Sequence, residues 1–324
     1  MTAQNVVGPI DLLVRTIRLE AQDILSFELV HPKGEALPAV QAGAHVDVYL
    51  PGGISRSYSL AGDPADRHRW RLGVLREANG QGGSRAMHER VRVGGSLRVS
   101  APRQAFALAP TAAHSILLAG GIGITPIKAM AHALDRAGAS FEVHYCAKTP
   151  QNAAFVDELT TLVSPENLHW HFDGGDPAKG LDIATLLANP EPDTHVYFCG
   201  PGGFMAACEQ ATEHWPKDTV HREYFKAPAE QTAPAQNEGS FTVYLARSGQ
   251  TVTVEPEQTI VRALELSGAR VPTSCMSGLC GTCKVNYLEG VVDHRDYILN
   301  DDEKQYCLTV CVSRAKGATL SLDL

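Results

Sequence analysis

The chain of 324 residues is 44% hydrophobic and 20% charged, with a formal net charge of -8. Its length exceeds what one hydrophobic core usually serves, so two or more domains are expected, and its acidity argues against a nucleic-acid partner, whose phosphates call for clustered Lys and Arg. The longest apolar run, Ser115 to Ile127, falls short of the roughly 20 residues that span a bilayer, and Met1-Thr2-Ala3-Gln4-Asn5 lacks the basic and apolar segments of a secretory signal, so no membrane contact and a cytoplasmic location, where thiols stay reduced, are expected.

From residue 10 to 106, short β-rich runs (Ile24 to Val30, His45 to Leu50, Ser55 to Leu60, Arg69 to Arg76) are punctuated by Gly, Pro and Asp, which reads as a small antiparallel barrel. Between 115 and 225 the pattern alternates: strand-like Ser115 to Ala119, Phe141 to Tyr145, His169 to Phe172 and Thr194 to Cys199 are interleaved with helical Ile127 to Ala137 and Phe155 to Val163. Alternation of that kind implies a doubly wound α/β domain with a parallel sheet. The first helix follows from the i, i+3, i+4, i+7 stripe of Ile127, Met130, Ala131 and Leu134 behind Pro126. The stretch from Lys226 to Gly239 has two prolines and almost no side chain able to pack, and reads as a linker. Beyond it, Phe241 to Ala246 and Thr251 to Val254 flank Arg247-Ser248-Gly249-Gln250 as a hairpin, with a short helix over Thr259 to Ser267. The expected boundaries are 1–107 for the barrel, 108–226 for the α/β domain, 227–239 for the linker and 240–324 for a last, mainly β domain.

Eight cysteines are present, and five of them (Cys275, Cys280, Cys283, Cys307 and Cys311) lie in that last domain. In a reducing compartment such clustering reads as metal before disulfide. Cys275, Cys280 and Cys283 are spaced C-x4-C-x2-C, the plant-type pattern for a [2Fe-2S] cluster, which needs a fourth thiolate well downstream. A structural zinc site would instead use two short Cys or His pairs. Gly278 and Gly281 let the loop wrap so that N–H groups face the cluster sulfurs. Spacing leaves Cys307 and Cys311 open as the fourth ligand.

Other segments carry nucleotide chemistry. Gly80-Gln81-Gly82-Gly83-Ser84-Arg85 opens a helical segment, where N–H donors and the positive dipole end suit phosphate. Gly120-Gly121-Ile122-Gly123-Ile124-Thr125-Pro126 lies between a strand and a helix, although proline stands where a dinucleotide fingerprint requires its last glycine. Asp173, just after the strand His169 to Phe172, is placed to accept a ribose hydroxyl and favours NADH, whereas Lys148 would favour a 2'-phosphate.

Taken with Arg56-Ser57-Tyr58-Ser59 and Cys199-Gly200-Pro201, these motifs stand in the order of the phthalate dioxygenase reductase family, the class IA Rieske oxygenase reductases that include vanillate O-demethylase reductases, within the ferredoxin-NADP reductase superfamily. The resemblance covers nearly the whole chain and implies an FMN-binding barrel, an NAD-binding domain and a plant-type β-grasp ferredoxin domain. It implies that Arg56, Ser57, Tyr58 and Ser59, with Gly73 and Val74 on the next strand and Gly82, Gly83 and Ser84 beyond it, hold the flavin, arginine suiting phosphate by its planar fork of donors. It implies that Gly120, Gly121, Gly123, Thr125, Pro126, Gly200 and Pro201 receive the nicotinamide nucleotide, that Cys199 stands beside the reacting ring as the catalytic residue, and that Phe225 or Tyr224 lies near the flavin. Cys311, directly before Val312-Ser313-Arg314-Ala315, matches the family's last cluster ligand. The implied partner is a terminal oxygenase component of Rieske type, served by a monomer, and the acidic run from Glu289 to Glu303 is a candidate docking face. Flavin is the cofactor that connects a two-electron hydride donor to a one-electron cluster, which gives the domain order a chemical reason. Alternative readings are a reductase for a cytochrome P450 or a reducible small molecule, and a noncatalytic iron-sulfur redox sensor.

Overall fold

The computed structural model describes residues 8–78, 80, 82–227 and 239–324; Gln81 and most of the expected linker lie outside the described residues. The chain divides into two compact units, Met1–Phe225 and Lys226–Leu324.

The first unit begins with β1 (Ile10–Ala21), β2 (Ile24–Val30), β3 (Ala44–Leu50), β4 (Ile54–Ser59), β5 (Trp70–Leu75), helix α1 (Gly83–Arg90), β6 (Ser96–Val99) and β7 (Arg103–Gln104). The strands run antiparallel in the order β4-β3-β6-β1-β2-β5, and a bridge between Leu60 and Leu72 brings the two outer strands together as a closed barrel. Leu12, Phe27, Val46, Val48 and Leu72 fill its interior, and α1 lays Ala86 and Met87 over it. The long strand β1 escapes the sequence pattern because its register shifts between Val14 and Thr16 and again between Leu19 and Ala21. Each shift moves the following side chains to the other face and breaks the strict alternation that marks a strand.

The unit continues with β8 (His114–Gly120), α2 (Ile124–Ala137), β9 (Phe141–Ala147), α3 (Val156–Leu162), β10 (Leu168–Phe172), α4 (Ile183–Leu186), β11 (Thr194–Cys199), α5 (Gly202–Ala211) and β12 (Val220–Glu223). The five strands form a parallel sheet in the order β10-β9-β8-β11-β12. Its central strand carries Leu117, Leu118 and Ala119 at 0% exposure, the continuous apolar run expected of a strand covered on both faces. Helices α2 and α3 pack on one face, α4 and α5 on the other. From β8 the chain steps outward to β9 and β10, then returns to β11 on the opposite side. Strand ends at such a reversal splay apart and open a crevice, here at the C-terminal ends of β8 and β11.

Barrel and sheet are joined by a chain of charges. Arg71 of β5 binds Glu158 of α3, which also receives the ammonium of Lys128 from α2. Lys128 is fully buried and lies over the Phe155 ring, 4.7 Å from its centroid. The helical stripe by itself gave no reason to place a lysine inside; its paired carboxylate and aromatic face make that burial tolerable.

The second unit contains β13 (Phe241–Leu245), β14 (Gln250–Val254), α6 (Ile260–Leu266), β15 (Lys284–Glu289), β16 (Val292–Asp293), β17 (Cys307–Thr309), β18 (Arg314–Ala315) and β19 (Thr319–Leu322). Its five-stranded sheet has the order β14-β13-β19-β15-β17, with β13 and β19 parallel in a mixed β-grasp arrangement. Thr259 caps α6 by accepting the Arg262 N–H, and Ile260, Val261, Ala263 and Leu264 face the sheet core. The cysteine loop lies between α6 and β15.

Candidate functional site

In the first unit, two glycine loops meet at the crevice. Gly120 ends β8, Gly121 bends with φ +54°, and Gly123 leads into α2. A Cβ on Gly123 would stand 2.0 Å from the Cys199 carbonyl oxygen, and one on Gly200 would stand 3.0 Å from Gly120 Cα, so the loops touch backbone to backbone. The Thr125 hydroxyl donates to the Ile122 carbonyl at 3.1 Å, and Pro126 is buried in the first turn of α2. The helix starts at Ile124, ahead of the proline that the sequence pattern took as its start, because the early turn of a helix leaves N–H groups unpaired and tolerates proline.

Cys199 closes β11, in register with Ala119 on one side and Glu223 on the other. It is fully buried, and burial with the Glu223 carboxyl beside it pushes the thiol well above its usual range. A group so held is a thiol and no nucleophile. Glu223 accepts a hydrogen bond from the Ser59 hydroxyl at 3.1 Å, across the seam between barrel and sheet. Desolvation pushes its carboxyl up to about 7, against the lowering effect of Ser59. Sequence reasoning missed Glu223: no motif marks it, and only the pairing of β11 with β12 brings it to Cys199. Phe225 is 38% exposed two residues further on, whereas Tyr224 turns inward and donates its hydroxyl to Glu209.

On the barrel, Arg56 and Tyr58 share one face of β4 and Ser57 and Ser59 the other. Arg56 lies against the start of α1: a Cβ on Gly83 would stand 2.4 Å from Arg56 Cγ, and Gly82 caps the helix at φ 89°. The Ser84 hydroxyl accepts the Glu77 N–H at 3.0 Å. Burial raises the Tyr58 phenol above its ordinary range. Ser57 donates to Asp47 at 2.6 Å, and Asp47 is held by Arg103 at 2.7 Å. Gly73 serves the domain seam, since a Cβ there would stand 2.7 Å from Thr125 Cγ2, while the Val74 side chain faces the barrel core. Asp173 caps a turn after β10, its Oδ1 accepting the Gly175 N–H at 2.7 Å.

In the second unit, the cysteine loop curls at Met276, Gly278 and Gly281, all with positive φ. The thiols of Cys275 and Cys280 are within hydrogen-bonding reach of one another, as are those of Cys283 and Cys311. Within these pairs the shared hydrogen bond holds Cys280 down to about 5 and Cys283 below its usual range, and pushes Cys275 and Cys311 up. The N–H groups of Ser277 and Leu279 point at Cys275 Sγ from 3.5 and 3.4 Å. Cys307 faces elsewhere, its thiol donating to the Glu303 carbonyl at 3.1 Å. Four convergent soft sulfurs with N–H donors around them suit an iron-sulfur cluster. The glycines enforce the fit: a Cβ on Gly278 would meet Val312 at 2.8 Å and one on Gly281 would meet Ile298 at 2.9 Å. Part of the acidic run serves this scaffold internally, with the Asp296 side chain fully buried and accepting the Ile298 and Leu299 N–H groups, Asp293 on Arg295, and Glu303 on Lys284.

A closed barrel, a parallel sheet with a glycine-lined crevice and a β-grasp domain bearing four gathered thiols define an iron-sulfur oxidoreductase of the ferredoxin-NADP reductase type. Residues 117–210 match the oxidoreductase NAD-binding domain family, and residues 243–316 match the 2Fe-2S iron-sulfur cluster binding domain family. The reductase subunit of a tert-butanol monooxygenase / tert-amyl alcohol desaturase from Aquincola tertiaricarbonis is 49% identical over 323 residues, 97% of this chain and 96% of that one. Phthalate dioxygenase reductase of Burkholderia cepacia is 42% identical over the whole of both chains, and a solved structure of phthalate dioxygenase reductase superposes at a TM-score of 0.72 with 41% identity and full coverage of both. An intact type IV self-sufficient cytochrome P450 monooxygenase matches 98% of the chain at 40% identity and a TM-score of 0.89; the chain spans 41% of that larger protein. The chain belongs to the phthalate dioxygenase reductase family.

Proposed function

We propose that the chain takes hydride from NADH onto FMN and delivers single electrons through a [2Fe-2S] cluster to an oxygenase component of Rieske type. The observation that carries this reading is the gathering of Cys275, Cys280, Cys283 and Cys311 on a chain that also forms the Gly123–Cys199 crevice. When bound, the flavin supplies the exchange between two-electron and one-electron transfer.

The protein's residues do the rest. Arg56 and the N–H groups opening α1 neutralise the flavin phosphate, and Tyr58, on the same face of β4, lines its chain and ring, while Ser57 braces the strand from the other face through Asp47. The bare backbone at Gly120, Gly123 and Gly200 lets the two loops close on one another, Gly121 makes the bend between them, and the crevice so shaped admits the nucleotide, with Thr125, Pro126 and Pro201 fixing the loops. Cys199, an un-ionised thiol at the strand end, shapes the floor under the nicotinamide. Glu223, its carboxyl pushed up to about 7 by burial while accepting the Ser59 hydroxyl, gives the reacting ring a neighbour that bears a proton on the acid side of neutrality. Phe225, half exposed beyond Glu223, is free to stack on the flavin, and Asp173 accepts the ribose hydroxyls of NADH. These roles imply functional boundaries at 1–107, 108–226 and 240–324. We read the chain as a monomer working in the cytoplasm, where NADH and reduced thiols are found.

The test is anaerobic NADH titration of the purified protein, followed by mixing with an oxidised Rieske oxygenase or a P450. Flavin and iron-sulfur absorption should bleach and then recover as the Rieske centre is reduced. A protein with neither absorption nor NADH oxidation sinks the reductase reading. Transfer to the P450 haem alone would move the partner assignment to the second reading, which the self-sufficient monooxygenase favours.

A further inference from the structure

The outer pair of strands in the α/β sheet carries a cluster that the electron path does not use. Glu142 and His144 of β9 and His169 and His171 of β10 lie on one face, with His169 in register beside His144. His144 is 6% exposed, and its Nε2 is buried with no partner in good hydrogen-bonding geometry among the described residues. Glu142 Oε1 stands 3.5 Å from it, and the other oxygen of the same carboxylate stands 3.7 Å from His169 Nε2. One donor atom from each of Glu142, His144 and His169 falls within 4.8 Å of the others. A buried ring nitrogen served only by a long, poorly aligned contact to a carboxylate, with a second imidazole beside it, is incompletely satisfied, and a cation among the three would complete it.

We propose that this strand edge binds one divalent transition-metal cation of the zinc class through Glu142, His144 and His169. Zinc takes imidazole and carboxylate donors at roughly 2.0–2.2 Å in a tetrahedron, which sets donors about 3.4 Å apart. The two carboxylate contacts already have nearly that spacing. The His144 and His169 rings are stacked with centroids 4.6 Å apart, so His169 must tilt, and its 37% exposed side chain has the room to do so. Behind the site, His144 Nδ1 is 3.1 Å from His171 Nε2, a second imidazole that fixes the ring and its tautomer, as outer-shell partners of metal-bound histidines do. The fourth position opens to solvent beside His169, which provides entry. His114 nearby is occupied with Ser140 at 2.8 Å.

The site is separate from the nucleotide crevice. His144 precedes Ala147, the C-terminal end of β9, by three residues, or about 10 Å of strand. A cation here ties the edge strand β10 to β9 by side chains as well as by backbone, and stabilises the folded chain by mass action.

The test uses the full chain with flavin and cluster in place, stripped of adventitious metal by resin and titrated with zinc chloride by calorimetry. One zinc should bind per chain beyond the cluster iron, and X-ray absorption at the zinc edge should show only nitrogen and oxygen neighbours with imidazole scattering. Replacing the buried His144 endangers the fold, so the weight falls on His169→Ala, expected to weaken zinc about 100-fold, and Glu142→Gln, expected to weaken it at least about 10-fold. Both should leave NADH oxidation unchanged. Failure of the unaltered protein to take up zinc, sulfur in the first shell, or undiminished affinity in His169→Ala would each overturn the proposal.

Discussion

The thiol loop and the nucleotide crevice hold their groups in opposite ways. Three of the four gathered cysteines lie between Cys275 and Cys283, on one loop whose curvature comes from positive φ at Met276, Gly278 and Gly281. The crevice instead takes Cys199 from β11, Glu223 from β12 and Ser59 from β4, with Ser59 and Glu223 separated by 164 residues of chain. A loop site depends on local backbone shape and on the metal itself. A crevice built from strand ends depends on the packing of whole domains, and small changes far from any cofactor should disturb it.

The largest expected effect is at the loop. Cys311→Ser removes a thiol paired with Cys283 and should abolish the cluster, seen as loss of bound iron and of iron-sulfur absorption, while NADH still reduces the flavin. Cys307→Ser should leave both intact, because that thiol is committed to the Glu303 carbonyl. Cluster loss in Cys307→Ser and not in Cys311→Ser would reverse the assignment. Next comes Gly123→Ala. Its φ of -60° suits alanine, yet the new methyl would meet the Cys199 carbonyl at 2.0 Å. Overpacking against rigid backbone should cost about 3 kcal/mol in unfolding experiments and raise the KM for NADH at least about 10-fold, roughly the effect of 1.4 kcal/mol of lost binding. Gly121→Ala makes the contrast: no described residue crowds that position, and only its φ of +54° opposes a side chain, so about 1 kcal/mol is expected. Equal effects at the two glycines would mean that close approach of the loops does not govern the crevice.

What the sequence made legible follows the same division. The C-x4-C-x2-C loop could be read because its chemistry is contiguous, and the strands of the parallel sheet could be read because burial on both faces makes their apolar runs nearly continuous. β1 stayed hidden behind two register shifts, and Glu223 behind the order of strands. Lys128 was invisible as a core residue because its burial depends on Glu158, on another helix. The fourth cluster ligand lay between these cases: spacing admits two cysteines, and a family resemblance was needed to prefer one.

The third test addresses Glu223, whose carboxyl rises from an ordinary 4.5 to about 7 in the folded chain. Between those values the folded state binds the proton and the unfolded state has lost it. Stability associated with this group is therefore complete below about pH 4.5 and declines as pH rises through about 7. At about 1.4 kcal/mol per pH unit the decline amounts to at most about 3 kcal/mol, less in proportion to the water that reaches this partly exposed residue. Glu223→Gln should flatten that decline in urea unfolding of the flavin-free protein and remove the matching limb from the pH profile of flavin reduction. An unchanged pH profile would leave Glu223 a packing residue.

Ser59→Ala should have the smallest effect and is the most discriminating. The Ser59 hydroxyl donates to Glu223 at 3.1 Å and favours the ionised carboxylate, against the desolvation that dominates there. Its loss removes one hydrogen bond, worth about 1 kcal/mol, from the ionised form more than from the protonated one. The midpoint of the Glu223 titration should therefore move upward, by somewhat less than one pH unit on the scale of about 1.4 kcal/mol per unit. Below the midpoint, where the carboxyl already carries its proton, the variant should reduce its flavin at close to the unaltered rate, and it should hold that rate to higher pH than the unaltered protein. A uniform loss at every pH would mean that Ser59 positions the flavin directly. A midpoint shift with an intact acid limb would tie strand β4 of the barrel to strand β12 of the sheet through the one hydrogen bond that Ser59 donates to Glu223, which a contiguous loop of cysteines has no counterpart for.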